Sequence, residues 1–311
     1  MRTVGRKKPR VQKSSTGIRG VIPPMMTPFR ENESVDYDMF VRNLKRWNRE
    51  ELGGYLVLGS NSEAASLSET EKLKLIGLTV EHAKKGRIIL AGTGLESAKE
   101  TLRLTEKAAT LGIDAALVLT PSYYGDLMTD EALVGYFTFV ADHSPVPILI
   151  YNVPRYTHIN VSVEVVRRLS EHPNIIGMKD SRGEIAQVEL FVKNAAKDFQ
   201  VIVGSASVWY PSMHYGVVSG ILALSNFAGA QCAQIQTLFK KGDLQSAEEL
   251  HRKLLPVNAA ITTTYGVAGL KYAATLAGYE GGVVRRPLRP LDERARQSIR
   301  SILEGAGLLQ S

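Results

Sequence analysis

Eight short apolar segments rich in β-branched residues recur along the chain, beginning near residues 20, 53, 87, 114, 147, 175, 199 and 220, and each precedes a longer stretch of helical character. Strands are expected over 21–27, 54–59, 87–92, 115–120, 148–152, 175–179, 201–204 and 221–225. Strands that are apolar on both faces belong in a parallel sheet covered by helices, and eight consecutive strand–helix units suggest closure into an α/β barrel, the (β/α)8 or TIM barrel. A doubly wound open sheet competes, but Pro23, Pro24 and Pro28 stand after the first strand where that fold's Gly-x-Gly-x-x-Gly turn belongs. Ser68-Glu69-Thr70-Glu71 opens a helix carrying Leu73, Ile76, Leu78 and Val80 with reciprocal Ser and Glu caps. Strand signals stop after Asn226. The organisation expected is a basic arm over 1–17, a barrel over 18–229 and a helical extension over 230–311 packed on the barrel.

A length of 311 residues suits either two average domains or one barrel of about 250 residues with additions, so pattern decides. No apolar run approaches the roughly 18 residues that span a membrane, and no membrane partner is expected. The net charge of +7 invites a nucleic-acid reading until it is located. Arg2, Arg6, Lys7, Lys8, Arg10 and Lys13 sit in an acid-free tail, and the remaining 32 basic residues face 31 acids. A nearly neutral body argues against a broad phosphate-binding face. The tail reads as a short arm or as the remnant of a targeting peptide. With a single cysteine, Cys232, and no secretory h-region, the expected compartment is the cytoplasm, or the mitochondrial matrix if residues 1–17 are a targeting remnant.

Barrel enzymes carry their chemistry at the C-terminal ends of the strands, and the polar residues gather there. Strand two runs into Gly59-Ser60-Asn61-Ser62-Glu63, strand three into Gly92-Thr93-Gly94 and strand four into Thr120-Pro121-Ser122-Tyr123-Tyr124. Strand five supplies Tyr151, strand six Lys179 and Ser181, and strand seven runs into Gly204-Ser205-Ala206-Ser207. Lys179 is the most informative of these, because a buried ammonium either finds a permanent partner or gives up its proton and becomes a nucleophilic amine. Alternation puts Gly177, Lys179 and Ser181 on one strand face and Met178 and Asp180 on the other, so Asp180 does not neutralise the lysine. Two readings stand at this point: Schiff-base formation with a 2-oxo acid, or a structural lysine paired with a distant carboxylate. The Ser60-Asn61-Ser62 turn offers hydroxyl and N–H groups suited to a carboxylate, or is an ordinary polar turn. Gly92-Thr93-Gly94 reads as tight strand-end geometry rather than a phosphate loop. The six histidines lack metal-ligand spacing, and no metal is expected.

With these residues assembled, the chain resembles the dihydrodipicolinate synthase and N-acetylneuraminate lyase family from about Gly20 to Leu291. The likeness is carried by the strand-two turn, Ala91-Gly92-Thr93-Gly94, Thr120-Pro121-Ser122-Tyr123-Tyr124, Tyr151-Asn152-Val153-Pro154 and Gly177-Met178-Lys179-Asp180-Ser181. Within the family it is most similar to the 4-hydroxy-2-oxoglutarate aldolases, through the run from His172 to Ser181, Asp198-Phe199-Gln200-Val201, Gly204-Ser205-Ala206, Asn258-Ala259-Ala260-Ile261-Thr262 and the Ser60-Asn61 pair. The resemblance implies an imine on Lys179 and proton transfer by Tyr151, with Ser60 and Tyr123 completing the relay. It also implies that Tyr123 reaches into a neighbouring subunit of a homotetramer or dimer. Asn61 and Ser60 would hold the substrate carboxylate, while Ser181 and Ser205 line the pocket. The covalent imine serves as the electron sink, so no cofactor is expected.

Departures bear on the substrate. Dihydrodipicolinate synthases carry an arginine one residue before the Thr-Gly that follows the strand-five motif. Here Tyr156 stands in that place and Arg155 lies one earlier, still a candidate substrate-binding residue. His158 and Ser62 replace glycines and are expected to narrow the pocket or add polar contacts. The function expected is a class I aldolase releasing pyruvate and an aldehyde, glyoxylate, from a 4-hydroxy-2-oxo acid. Alternatives are condensation of pyruvate with aspartate semialdehyde, a 2-keto-3-deoxy sugar-acid aldolase or dehydratase, and a non-catalytic binding barrel.

Overall fold

The computed structural model describes residues 17–309, and the arm over 1–17 lies outside the described residues but for Gly17. Each strand is followed by its helix: β1 (Gly20–Ile22), α1 (Tyr37–Trp47), β2 (Gly54–Val57), α2 (Glu69–His82), β3 (Ile88–Gly92), α3 (Ala98–Leu111), β4 (Ala115–Leu119) and α4 (Asp130–His143). Next come β5 (Ile148–Asn152), the short α5 (Pro154–Thr157), α6 (Val163–Ser170), β6 (Ile175–Asp180), α7 (Ile185–Asn194), β7 (Gln200–Val203), the short α8 (Trp209–Met213) and β8 (Ser219–Ile221). The chain then runs through α9 (Gly229–Lys240), α10 (Leu244–Ala259), a π-helical turn (Ala260–Thr264), α11 (Gly266–Leu276) and α12 (Glu293–Gly305).

The strands form one parallel sheet in the order β1-β8-β7-β6-β5-β4-β3-β2. Its two ends meet through the bridge between Pro24 and Leu56, with Met25 N–H donating to the Leu56 carbonyl at 2.9 Å. This is the TIM barrel expected from the eight apolar segments. β1 is shorter than 21–27 because Pro23 and Pro24 have no N–H to extend the ladder. β8 lies earlier than 221–225, and residues Ala223–Asn226 coil into a 3-10 turn instead. α9, which begins at the expected barrel boundary, packs on β1. α10 packs against α9, and α11 against the π-turn and α12.

Period-two alternation divides the interior into two cores. Ile22, Leu56, Leu90, Leu117, Leu149, Tyr151, Ile202 and Ile221 fill the lumen, while Val21, Tyr55, Val57, Val118, Ile150, Met178 and Val203 face the helical sheath. Ser68 and Glu71 cap α2 reciprocally as expected, at 3.2 and 2.8 Å. The buried face of that helix is Leu75, Ile76 and Thr79; Leu73, Leu78 and Val80 are only half-buried.

Candidate active site

β5 and β6 pair in a register that sets Tyr151 beside Lys179 and Asn152 beside Asp180. The first pair faces the lumen. The second faces the sheath, where Asn152 Nδ2 donates to Asp180 Oδ1 at 2.7 Å and the Ser181 N–H donates to the Asn152 carbonyl at 2.9 Å. Burial pushes the Asp180 carboxyl up to about 6 against the opposing Asn152 hydrogen bond. The carboxylate next to Lys179 in sequence is therefore spent on a cross-strand brace and faces away from the amine.

Lys179 is 3% exposed and has neither a hydrogen bond nor an ion pair among the described residues. Its Nζ lies 4.2 Å from the centre of the Tyr151 ring. The Tyr151 hydroxyl in turn is 3.1 Å from Ser60 Oγ, on the 3-10 turn Ser60–Ser62 that ends β2. Three elements thus bring an amine, a phenol and a hydroxyl into one chain of contacts at the C-terminal mouth of the barrel. Leu58, just before that turn, is held at φ 62°, a backbone geometry unfavourable for leucine.

Ser181 Oγ is buried without a partner among the described residues, an unmet donor and acceptor beside the lysine. Space for both comes from Gly204. A Cβ there would lie 2.9 Å from Lys179 Cε and closer still to Ser181 Oγ. This role of Gly204 has no signature in the sequence, because it arises only where β7 lies beside β6. Ser205 caps the following turn, its hydroxyl 2.8 Å from Ser207 Oγ and accepting from the Ser207 N–H at 3.3 Å. Asn61 is half-buried with no side-chain hydrogen bond among the described residues.

Other expected residues lie elsewhere. Tyr123 is 81% exposed, and its hydroxyl meets neither Tyr151 nor Ser60 within this chain. Arg155 is exposed and donates through Nη2 to the Thr263 carbonyl at 3.0 Å, a group on the π-helical turn. Ser62 does not add a polar contact to the pocket: it is buried and its hydroxyl donates to the Met25 carbonyl. His158 is exposed and closes α5 at φ 58°, a conformation that favours glycine. The Gly92 and Gly94 Cβ positions run into the Leu58 carbonyl and the Leu119 N–H, so these glycines serve close strand packing, as expected.

Fold and comparisons converge. The fold is the TIM barrel of many lyases, and the comparisons with known proteins give its class. A sequence model of the dihydrodipicolinate synthetase family matches residues 17–306, so the chain belongs to that family and is a carbon–carbon lyase of the class I pyruvate aldolase type. It is 32% identical over 294 residues to a 4-hydroxy-tetrahydrodipicolinate synthase of Bartonella bacilliformis, covering 94% of this chain and 99% of the relative. A synthase of the same name from Bradyrhizobium diazoefficiens is 34% identical, with 95% and 99% covered. Among solved structures, the chloride-inhibited dihydrodipicolinate synthase of Acinetobacter baumannii, complexed with pyruvate, superposes with a TM-score of 0.89 at 28% identity, covering 94% of this chain and all of that one. These relatives are named as synthases, not as 4-hydroxy-2-oxoglutarate aldolases.

Proposed function

We propose that Lys179 forms an imine with a 2-oxo acid and that the physiological reaction is cleavage of a 4-hydroxy-2-oxo acid such as 4-hydroxy-2-oxoglutarate. The observation that carries the chemistry is a buried lysine with no counter-charge among the described residues, its Nζ against the Tyr151 ring and the Tyr151 hydroxyl against Ser60. A neutral amine at that point attacks the C2 carbonyl, and water leaves as the iminium forms. The iminium withdraws electrons as a proton leaves the C4 hydroxyl and the C3–C4 bond breaks. Glyoxylate departs, the enamine takes a proton at C3, and hydrolysis frees pyruvate and the lysine. Tyr151 and Ser60 carry the protons, and Asn61 and the unpartnered Ser181 hydroxyl meet the substrate's polar groups. The exposure of Tyr123 supports its delivery to the site of a second copy of the chain, in a dimer or tetramer. The chemistry asks for no cofactor beyond the imine.

Cleavage is favoured over condensation by the second-substrate position. Tyr156 stands where synthases carry the carboxylate-gripping arginine, and Arg155 is turned to the Thr263 carbonyl. Condensation of pyruvate with aspartate semialdehyde is the second reading, favoured by the names and the pyruvate complex of the relatives. Two assays run side by side decide between them. Pyruvate release from 4-hydroxy-2-oxoglutarate, coupled to lactate dehydrogenase, is expected to exceed condensation by orders of magnitude. The reverse ranking overturns the aldolase and keeps the imine, which borohydride trapping with pyruvate tests separately.

A further inference from the structure

Glu96 lies in the connection between β3 and α3, on a segment that is itself anchored. The Leu95 N–H donates to Thr101 Oγ1 at 2.9 Å, and the Tyr136 hydroxyl donates to the Leu95 carbonyl at 3.2 Å. From there the Glu96 carboxylate accepts three hydrogen bonds from the next connection, between β4 and α4. They come from Ser122 N–H at 2.8 Å, Ser122 Oγ at 2.9 Å and Tyr123 N–H at 2.9 Å. Burial pushes this carboxyl up, yet the Tyr123 and Ser122 donors outweigh that and hold it below the usual carboxylate range. Hydrogen bonds to a charged acceptor are among the stronger ones a surface loop can make.

All three bonds end on the two residues that fix where the Tyr123 side chain leaves the backbone. The ring itself is held by little: it is 81% exposed and meets Tyr124 edge-on at 5.2 Å. A side chain that must place one hydroxyl accurately, from a loop, gains from a backbone that cannot drift. Resting on the proton-relay role given to Tyr123 above, we infer that Glu96 is a positioning residue: it clamps the β4–α4 connection so that the Tyr123 hydroxyl is presented in one direction.

The test compares Glu96→Ala, Glu96→Gln, Tyr123→Phe and the double variant Glu96→Ala/Tyr123→Phe in the full chain. Tyr123→Phe is expected to lose about 10²-fold in kcat, as removal of a proton-transferring group does. Glu96→Ala is expected to lose roughly tenfold in kcat through misplacement, with KM within about twofold and borohydride trapping of pyruvate retained. Glu96→Gln keeps an oxygen for the two N–H donors and recovers most of the rate. The double variant is no slower than Tyr123→Phe alone, because Glu96 acts only through the hydroxyl already removed. A Glu96→Ala enzyme at the wild-type rate, or a double variant whose losses multiply, overturns the inference. If Tyr123→Phe runs at the wild-type rate while Lys179→Ala is dead, the Tyr123 assignment fails and this inference with it, leaving the imine chemistry standing.

Discussion

Lys179 and Lys271 are both hidden from solvent, at 3% and 2% exposure, but among the described residues only Lys271 has its charge answered. Lys271, on α11, pairs with Glu63, donates to the Val283 carbonyl at 2.6 Å and lies 4.4 Å from the centre of the Phe29 ring. Arg285 lies over the same ring at 4.3 Å, its guanidinium is bound to Glu71 through both terminal nitrogens, and its N–H donates to Glu63 Oε2 at 2.9 Å. Burial lowers Lys271 to about 8 while Glu63 works to raise it. This network bolts the turn after β2 to the C-terminal helices. Among the described residues Lys179 makes no ion pair or hydrogen bond; the Tyr151 ring faces its Nζ and the unpartnered Ser181 hydroxyl lies nearby. Burial alone therefore does not separate the two lysines; what distinguishes them among the described residues is whether the fold supplies a carboxylate.

Removing each amine in turn separates the two lysines most strongly. Lys179→Ala is expected to abolish turnover, a loss of about 10⁴-fold or more, while leaving the unfolding midpoint unchanged or raised. Lys271→Ala strands the Glu63 carboxylate in the interior and is expected to cost about 3–5 kcal/mol of stability, with imine trapping retained in the folded fraction. Denaturant unfolding and the coupled pyruvate assay read both. Equal stability losses for the two variants would mean that Lys179 has a counter-charge after all.

Tyr151→Phe comes next. Its hydroxyl links the lysine's aromatic neighbour to Ser60, so about 10²–10³-fold in kcat is expected to go with it. The ring against Lys179 remains, so borohydride trapping with pyruvate is expected to persist; loss of trapping together with turnover would move the tyrosine from bond cleavage into imine formation. Gly204→Ala is expected to slow imine formation about tenfold, because the new methyl group meets Lys179 Cε at 2.9 Å. Wild-type trapping rates in that variant would show that the lysine can swing clear.

The sequence displays one lysine of the pair and hides the other's meaning. The burial of Lys179 and the outward turn of Asp180 were legible because they are local, set by an apolar strand and its alternation. Lys271 sits in the apolar helix Gly266–Leu276 as a visible anomaly, but Glu63 is some two hundred positions away and only the closed barrel brings them together. The Glu96 grip on Ser122 and Tyr123 was hidden for the same reason, being a contact between two neighbouring loops rather than a motif. Strand ends misread the chain where burial is continuous. Leu222, Ala223 and Leu224 are all buried whether they extend β8 or coil into a 3-10 turn, so hydrophobicity cannot say which.

The finest test concerns Asp180, the carboxylate nearest to Lys179 along the chain. Were it the lysine's counter-ion, opposite charge would hold it below the ordinary aspartate value of about 3.9. Burial instead pushes it up to about 6. Between roughly pH 4 and 6 the folded protein then holds a proton that the unfolded chain has released, so this group's contribution is present below about 4 and is lost as pH rises through 6. Wild-type stability is expected to fall relative to Asp180→Asn across that window, and the Asp180 carboxyl carbon, followed by NMR, to titrate near 6 with or without Lys179. A midpoint below 4 that climbs in Lys179→Met would make the two residues an ion pair. Lys179 would then be held as Lys271 is, and the nucleophile would have to be sought elsewhere in the barrel.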